Sequence, residues 1–366
     1  MNLGLILAIG ESLSDFKAKG QLARLINYNV KKYSKVFDKI FIFSYANENF
    51  KISKKIFLIA NKSGIHRYLY AILLPFIHRK IISECDILRG LQLTGGIPAF
   101  LSKIFFGKKF VINYGYDYPS FAQIEGKHLQ HYLYELIQNP ILKSADAVVV
   151  TSKEIKKKIS RTVKSSKIHY IPNGIDTKLF KPSKSRQTDQ KFIKVAYLGR
   201  LEKQKNLDNL IKAVALLKFP TRLEFYGVGT QKKHLSDLAK KLKIELTIKN
   251  PVPYNKVPKI LKRSDIFVLP SQEEGSPKIL IEAMSCGKSV IGSDVIGIKE
   301  LIIDGKTGIV TQTDPVSIAN SIGRLKDTKI REKIGLSAST YVRQNFDLDL
   351  LLNQEIKILE KIGASL

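Results

Sequence analysis

The chain has 366 residues, comfortable for two domains of ordinary size and too many for one typical core. Hydrophobic residues make up 44%, which excludes a disordered chain. Lys and Arg number 61 against 32 Asp and Glu, a formal charge of +29. Such an excess fits nucleic acid, an anionic membrane surface or phosphorylated substrates as partners, or else a solvated Lys-rich surface.

Cys85 and Cys286 are too few for a disulfide framework or a zinc site, which points to a reducing compartment. The opening MNLGLILAIG has no preceding basic region and meets Glu11 at once, so it reads as a first core strand rather than a signal peptide. The most apolar later run, residues 68–77, contains Pro75 and falls short of the ~20 residues of a membrane span. The expectation is a cytoplasmic protein, alone or attached peripherally to the inner membrane face.

In the first half, residues 3–9, 39–43, 55–59 and 108–112 are short apolar runs of strand length. A helix is expected from Gly20, and a loop is expected around Gly95 and Gly96 after residues 81–88. Residues 65–80 alternate apolar and aromatic positions at helical spacing, with basic ends. They read as a helix packed on a sheet or as one lying on a membrane surface. Lys103, Lys108 and Lys109 would suit anionic lipid. His128 and His131 fall three apart but lack a third ligand nearby. Asp117, in the loop after a strand, suits either a polar substrate contact or a turn. Residues 144–152 hold another buried strand, and IPNGID at 171–176 marks a turn. Residues 181–191 are polar, basic and aperiodic: a linker.

In the second half, residues 194–198 start a new sheet, followed by GRLEKQKN and a helix over 207–217. Arg200 and Lys205, five apart between strand and helix, can converge on a diphosphate, or else sit exposed as basic loop residues. Residues 223–229 are a strand with a Gly-x-Gly turn that lacks the third glycine of a dinucleotide fingerprint. Next comes a buried strand at 266–269, an acidic loop, and a helix start at EGSP (274–277). Ser276 is placed to cap and Pro277 to take the first helical position. Glu274 lies just outside this helix and Glu282 inside it. The plain alternative for the two is a solvated loop Glu and an exposed helix Glu.

This run of strand, acidic loop, EGSP, helix, EAM, Gly and strand, with GRL…KN and IPNGID, resembles the retaining glycosyltransferases of family 4 (group 1). The resemblance covers essentially the whole chain, most strongly from Ala145 onward. It implies an α/β GT-B fold: two doubly wound Rossmann-like domains facing across a cleft. The acceptor-side domain would span 1–180 and the nucleotide-sugar domain 192–345, with a final helix over 346–366 crossing back. The implied activity moves a sugar from a nucleoside diphosphate sugar to an acceptor hydroxyl, with retention, in cell-surface glycan or glycolipid synthesis. By the same resemblance Arg200 and Lys205 neutralise the leaving diphosphate, Glu282 holds the ribose hydroxyls and Glu274 contacts the donor sugar. Gly199, Gly275, Ser276, Pro277 and Gly297 complete the donor site, residues 251–254 lie near the nucleobase, and no cofactor or metal is required. Tyr114 stands where family members carry a His, leaving Asp117 as the nearest polar candidate there. The implied partners are the nucleotide sugar, a glycan or lipid-linked acceptor and an anionic membrane surface. A nucleotide-sugar epimerase would need clustered acid-base residues, which the sequence lacks around Tyr114. A nucleic-acid-binding protein would need a reader motif and a basic stripe, and neither is found.

Overall fold

The computed structural model describes residues 1–18, 22, 24–115, 117–124, 126–182 and 191–365. The expected helix start at Gly20 and residues 183–190 of the expected linker lie outside the described residues. The chain forms two compact units, one of Met1–Pro172 with Leu351–Leu366, the other of Asn173–Leu350. The first boundary falls at Pro172 rather than at 180 because Ile175 and Phe180 are buried in the second unit's core. Ser285 Oγ also donates to the Phe180 carbonyl.

The first unit is built on β1 (Asn2–Ile6), β2 (Lys39–Phe43), β3 (Ile56–Ile59), β4 (Ile87–Leu91), β5 (Lys109–Tyr114), β6 (Ala147–Val150) and β7 (Ile168–Tyr170). All pair in parallel, in the order β3-β2-β1-β4-β5-β6-β7. Helices cover both faces of such a sheet, so its strands are near-continuous apolar runs. Leu3, Leu5, Ile40, Ile42, Val111 and Val148 are accordingly buried. The strand order reverses between β1 and β4, the kind of place where open α/β sheets bind ligands.

Where a loop was expected at Gly95 and Gly96, the chain makes the helix Gln92–Phe106. A Cβ on Gly95 would stand 2.9 Å from the carbonyl oxygens of Ile6 and Leu7. These glycines therefore serve close approach of a helix to strands, not a turn. The 65–80 stretch becomes the helix Arg67–Ile77, with Tyr70, Ala71, Leu74 and Pro75 buried. Tyr68, Leu69, Ile72, Phe76 and Ile77 remain exposed. Lys103 is less free than the sequence suggests, since it pairs with Asp146 at 2.6 Å. Lys108 likewise donates to the carbonyls of Ser83 and Cys85. His131 Nδ1 lies 2.9 Å from the Pro119 carbonyl.

Residues from Leu351 onward, in the helix Leu348–Ala364, belong to the first unit. There Glu355 accepts from Arg89 Nε of β4 at 2.5 Å and from the Tyr33 hydroxyl at 3.0 Å. All three side chains are buried.

The second unit holds β8 (Ile193–Leu198), β9 (Thr221–Tyr226), β10 (Leu246–Lys249), β11 (Ile266–Leu269), β12 (Ser289–Ser293) and β13 (Ile309–Thr311). Their order is β10-β9-β8-β11-β12-β13, again all parallel. The reversal here lies between β8 and β11, so the loops leaving those strands sit side by side. Among the described residues, no helix is long and apolar enough to cross a membrane.

Candidate functional site

The loop 199–206 leaves β8 and the loop 271–277 leaves β11. A single turn over Lys203–Lys205 ends at Asn206, which takes a left-handed φ of 56° before the helix Leu207–Ala215. Asn is among the few residues that adopt this conformation readily. Asn206 Nδ2 donates to the carbonyls of Pro270 at 3.1 Å and Thr313 at 2.8 Å. The Gln272 amide donates to the Gln204 carbonyl at 2.9 Å. These bonds tie the two loops together and fix Lys205 between them.

Lys205 is buried, and its Nζ lies 2.6 Å from Glu274 Oε1. The same carboxylate oxygen accepts from Ser271 Oγ at 2.8 Å. Arg200 is exposed, and its carbonyl accepts from the Tyr197 hydroxyl at 2.7 Å. Burial, and then the Glu274 carboxylate, push the Tyr197 hydroxyl above its ordinary pKa. The two cations therefore differ: Lys205 is held by a carboxylate, whereas Arg200 extends from the loop rim.

The helix after β11 runs Lys278–Ser285, and its N-cap is Pro277 rather than Ser276. Pro277 has an extended backbone (φ −73°, ψ 105°) and no side-chain oxygen to offer the helix end. Ser276 Oγ is buried without a hydrogen-bond partner among the described residues. A helix start of this kind presents N–H groups and positive dipole to an anion. Glu282 is only 4% exposed, so the reading of an exposed helix Glu is corrected.

Gly297 acts from beneath the acidic loop. A Cβ there would stand 2.1 Å from the Glu274 carbonyl oxygen and 2.3 Å from that of Gly275. Only glycine lets the helix Ile296–Lys299 support the loop this closely. Beside these elements lies a cavity of about 380 Å³, lined by Gly199, Arg200, Gly227, Pro251, Val252 and Ile279 among others. That size is at the small end for ligand pockets.

Asp117 lies in the first unit, where its Oδ2 accepts from Lys158 at 2.5 Å and from Ser120 Oγ at 2.7 Å. These bonds fit its turn role, at the head of the helix Tyr118–Ile124. Tyr114 is fully buried, and its hydroxyl donates to Gln138. Burial first, and then Asp117, raise its pKa. No reactive side chain thus replaces the expected His at that position.

The family profile for glycosyl transferases group 1 matches residues 180–339, and that for glycosyltransferase family 4 matches residues 44–179. An uncharacterized glycosyltransferase of Methanocaldococcus jannaschii is 30% identical over 277 residues, 71% of this chain and 70% of that protein. The chain belongs to glycosyltransferase family 4, group 1. The alpha-maltose-1-phosphate synthase of Mycolicibacterium smegmatis is 23% identical over 256 residues, 62% of this chain and 66% of the relative.

Among solved structures, sucrose-phosphate synthase from Thermosynechococcus elongatus aligns with a TM-score of 0.80 at 18% identity, covering 100% of this chain and 99% of that one. Anabaena HepE, solved in complex with UDP and glucose, aligns at 0.76 with 19% identity, covering 99% and 100%. At these identities the likeness speaks to the fold, which is GT-B.

In this family 4 chain the structure brings Gly199, Arg200, Lys205, Glu274, Gly275, Ser276, Pro277 and Gly297 to one region of the second unit, buries Glu282 within the helix that follows, and places Asp117 in the first unit. Sequence reasoning missed Asn206 and Ser271 as positioning residues. An Asn directly before an amphipathic helix, where the chain needs a left-handed turn, is the signal that could have found the former.

Proposed function

We propose that this glycosyltransferase moves a sugar from a nucleoside diphosphate sugar to an acceptor hydroxyl with retained anomeric configuration. Its setting is cell-surface glycan or glycolipid synthesis, at the inner face of an anionic membrane. The observation that carries the reading is the Lys205–Glu274 pair at the strand-order reversal, beside an anion-suited helix start. The cavity at Pro251 and Val252 suits the base, and Glu282 accepts hydrogen bonds from the ribose hydroxyls. Anabaena HepE, whose structures hold UDP and UDP-glucose, supports a nucleotide-sugar donor.

In the proposed reaction the bond from the anomeric carbon to the phosphate oxygen breaks. The acceptor oxygen bonds to that carbon on the same face, and its proton passes to the leaving phosphate. Arg200, Lys205 and the N–H groups of the helix start stabilise the charge that develops there, while Glu274 orients the sugar. These groups supply the charge a metal would otherwise provide, so the proposed reaction needs no metal. Asp117 is engaged by Lys158 and Ser120 and is given no catalytic role.

The test is release of nucleoside diphosphate from a panel of nucleotide sugars, with EDTA present. One donor is expected to turn over, and Lys205→Ala and Glu274→Ala to abolish it. Binding of nucleotide without any turnover, whatever the acceptor, would favour a binding-only relative, the reading that the buried Tyr114 allows.

A further inference from the structure

The loop 227–231 leaves β9 and lies against the loop 199–206, which leaves the neighbouring strand β8. The Leu201 amide donates to the Val228 carbonyl at 2.8 Å, and the Gln231 amide to the Leu201 carbonyl at 3.0 Å. At the end of β9, the Tyr226 carbonyl accepts from the Gly199 amide at 3.0 Å. Both glycines of Gly227-Val228-Gly229 serve this contact. A Cβ on Gly227 would stand 1.8 Å from the Gly199 carbonyl oxygen, and one on Gly229 2.3 Å from that of Leu201. The Gly-x-Gly pattern is therefore a backbone-to-backbone seat for residues 199–201 rather than a nucleotide fingerprint.

Glu202 closes the seat. Its Oε1 accepts from the Thr230 amide at 3.1 Å and its Oε2 from the Thr230 hydroxyl at 2.6 Å. The Thr230 hydroxyl first, and then its amide, hold the Glu202 carboxyl below its ordinary pKa, with the Arg200 charge a smaller influence. Two residues from a guanidinium, a free carboxylate is a natural fork partner and would draw it off a phosphate. Here both carboxylate oxygens are engaged by Thr230 instead. Arg200 stands between pinned residues, and its own carbonyl is held by the Tyr197 hydroxyl at 2.7 Å. With the backbone fixed on both sides, only the Arg200 side chain is left to order when an anion binds. Less entropy is then lost on binding.

We infer that the loop 227–231, locked by the Thr230–Glu202 pair, is the mount that aims Arg200 at the leaving diphosphate, with Glu202 as the positioning residue. The inference rests on the proposed donor site, in which Arg200 meets the diphosphate. A plain helix cap is the competing role for Glu202, because the helix Lys232–Lys241 starts two residues beyond Thr230. The two roles differ in what they act through. A cap contributes to stability whatever stands at position 200, whereas a mount acts through the Arg200 side chain.

The experiment titrates uridine, guanosine and adenosine diphosphates by calorimetry and follows the one that binds most tightly. The wild type is compared with Arg200→Ala, Glu202→Ala, Glu202→Gln and the double variant Arg200→Ala/Glu202→Ala, each with its urea midpoint. Arg200→Ala is expected to weaken binding by about tenfold or more, the loss of a charged hydrogen bond. Glu202→Ala should weaken it by about fivefold or more while Arg200 is present. Once Arg200 is gone, Glu202→Ala should add less than about twofold, because its effect runs through the missing side chain. Glu202→Gln should bind as the wild type does or more tightly, since an amide still accepts from the Thr230 N–H and still bonds its hydroxyl. Equal losses from Glu202→Ala with and without Arg200, or no loss at all, overturn the inference. A lowered urea midpoint beside them assigns Glu202 to capping alone. A Glu202→Gln that binds as weakly as Glu202→Ala also overturns it. If Arg200→Ala binds like the wild type, or no diphosphate binds at all, the donor role of Arg200 fails and takes the inference with it. A loss in Arg200→Ala without one in Glu202→Ala leaves that role standing and removes the inference alone.

Discussion

Lys205 and Glu274 meet at 2.6 Å where the second sheet reverses its strand order, and both side chains are largely shielded from water. The carboxylate holds the cation in place, but it also competes with any phosphate for it. The two substitutions should therefore act differently. Lys205→Ala is expected to weaken nucleoside diphosphate binding by about 10- to 100-fold, the loss of a charged hydrogen bond. Glu274→Gln should leave that binding equal or tighter, because the diphosphate then gains sole hold of Lys205, while transfer falls by about 100-fold. Calorimetric titration beside initial rates separates the two. A parallel loss of affinity in Glu274→Gln would contradict the proposed division of labour.

Gly297 supports the acidic loop by backbone contact alone. A methyl group there must displace the Glu274 and Gly275 carbonyls, which stand 2.1 and 2.3 Å from its position. Gly297→Ala is expected to lower stability by about 1–3 kcal/mol through overpacking. Because the displaced loop carries Glu274, transfer should fall as well, even though Gly297 has no side chain. Urea unfolding and a rate assay on the same preparation check both effects.

Arg89 and Glu355 form a buried pair 266 positions apart, with Tyr33 as a third member. Removing one partner strands a charge in low dielectric, so Arg89→Met should cost about 3–5 kcal/mol. Adding Glu355→Leu removes the stranded carboxylate and should restore a large part of that loss. Denaturant midpoints for the two singles and the double give the coupling, and simple additivity would be the contrary result.

The thiols of Cys85 and Cys286 are each pushed up to about 12, chiefly by burial. A raised folded pKa favours the neutral thiol, so stability is intact below the unfolded pKa of about 8.5. As pH rises from there towards about 12, the unfolded state ionises first. Each thiol then costs the fold up to about 1.4 kcal/mol per pH unit. Unfolding free energies at a series of alkaline pH values should fall less steeply for Cys286→Ala than for the wild type. Because the thiolate is the nucleophile, alkylation of the native protein near pH 8 should also be slow at both sites.

The legible strands were those buried on both faces: β2 and β11 match their apolar runs residue for residue. The edge strands β10 and β13 were not, since LTIK and IVT, four and three residues long, are too short for their alternation to stand out from chance. Gly95 and Gly96 misled because a glycine pair signals a turn locally, whereas here it answers a long-range need for close packing. In the site, the cations and glutamates were legible from motif and loop position. The Lys205–Glu274 pairing, the burial of Glu282 and the cap at Pro277 were not, because each depends on which loops the sheet brings together. Tyr114 shows the same limit: its place at the end of β5 was legible, its burial was not.

The proposed transfer depends on a nucleoside diphosphate sugar site in the second unit. It is tested most directly by thermal shift with a panel of nucleoside diphosphates and their sugars, on the wild type, Lys205→Ala and Glu282→Ala. One base is expected to stabilise the wild type, by about 3 kcal/mol at a ligand concentration near 100 times Kd, and both variants to lose most of this. No shift with any nucleotide, or equal shifts in all three proteins, would contradict it.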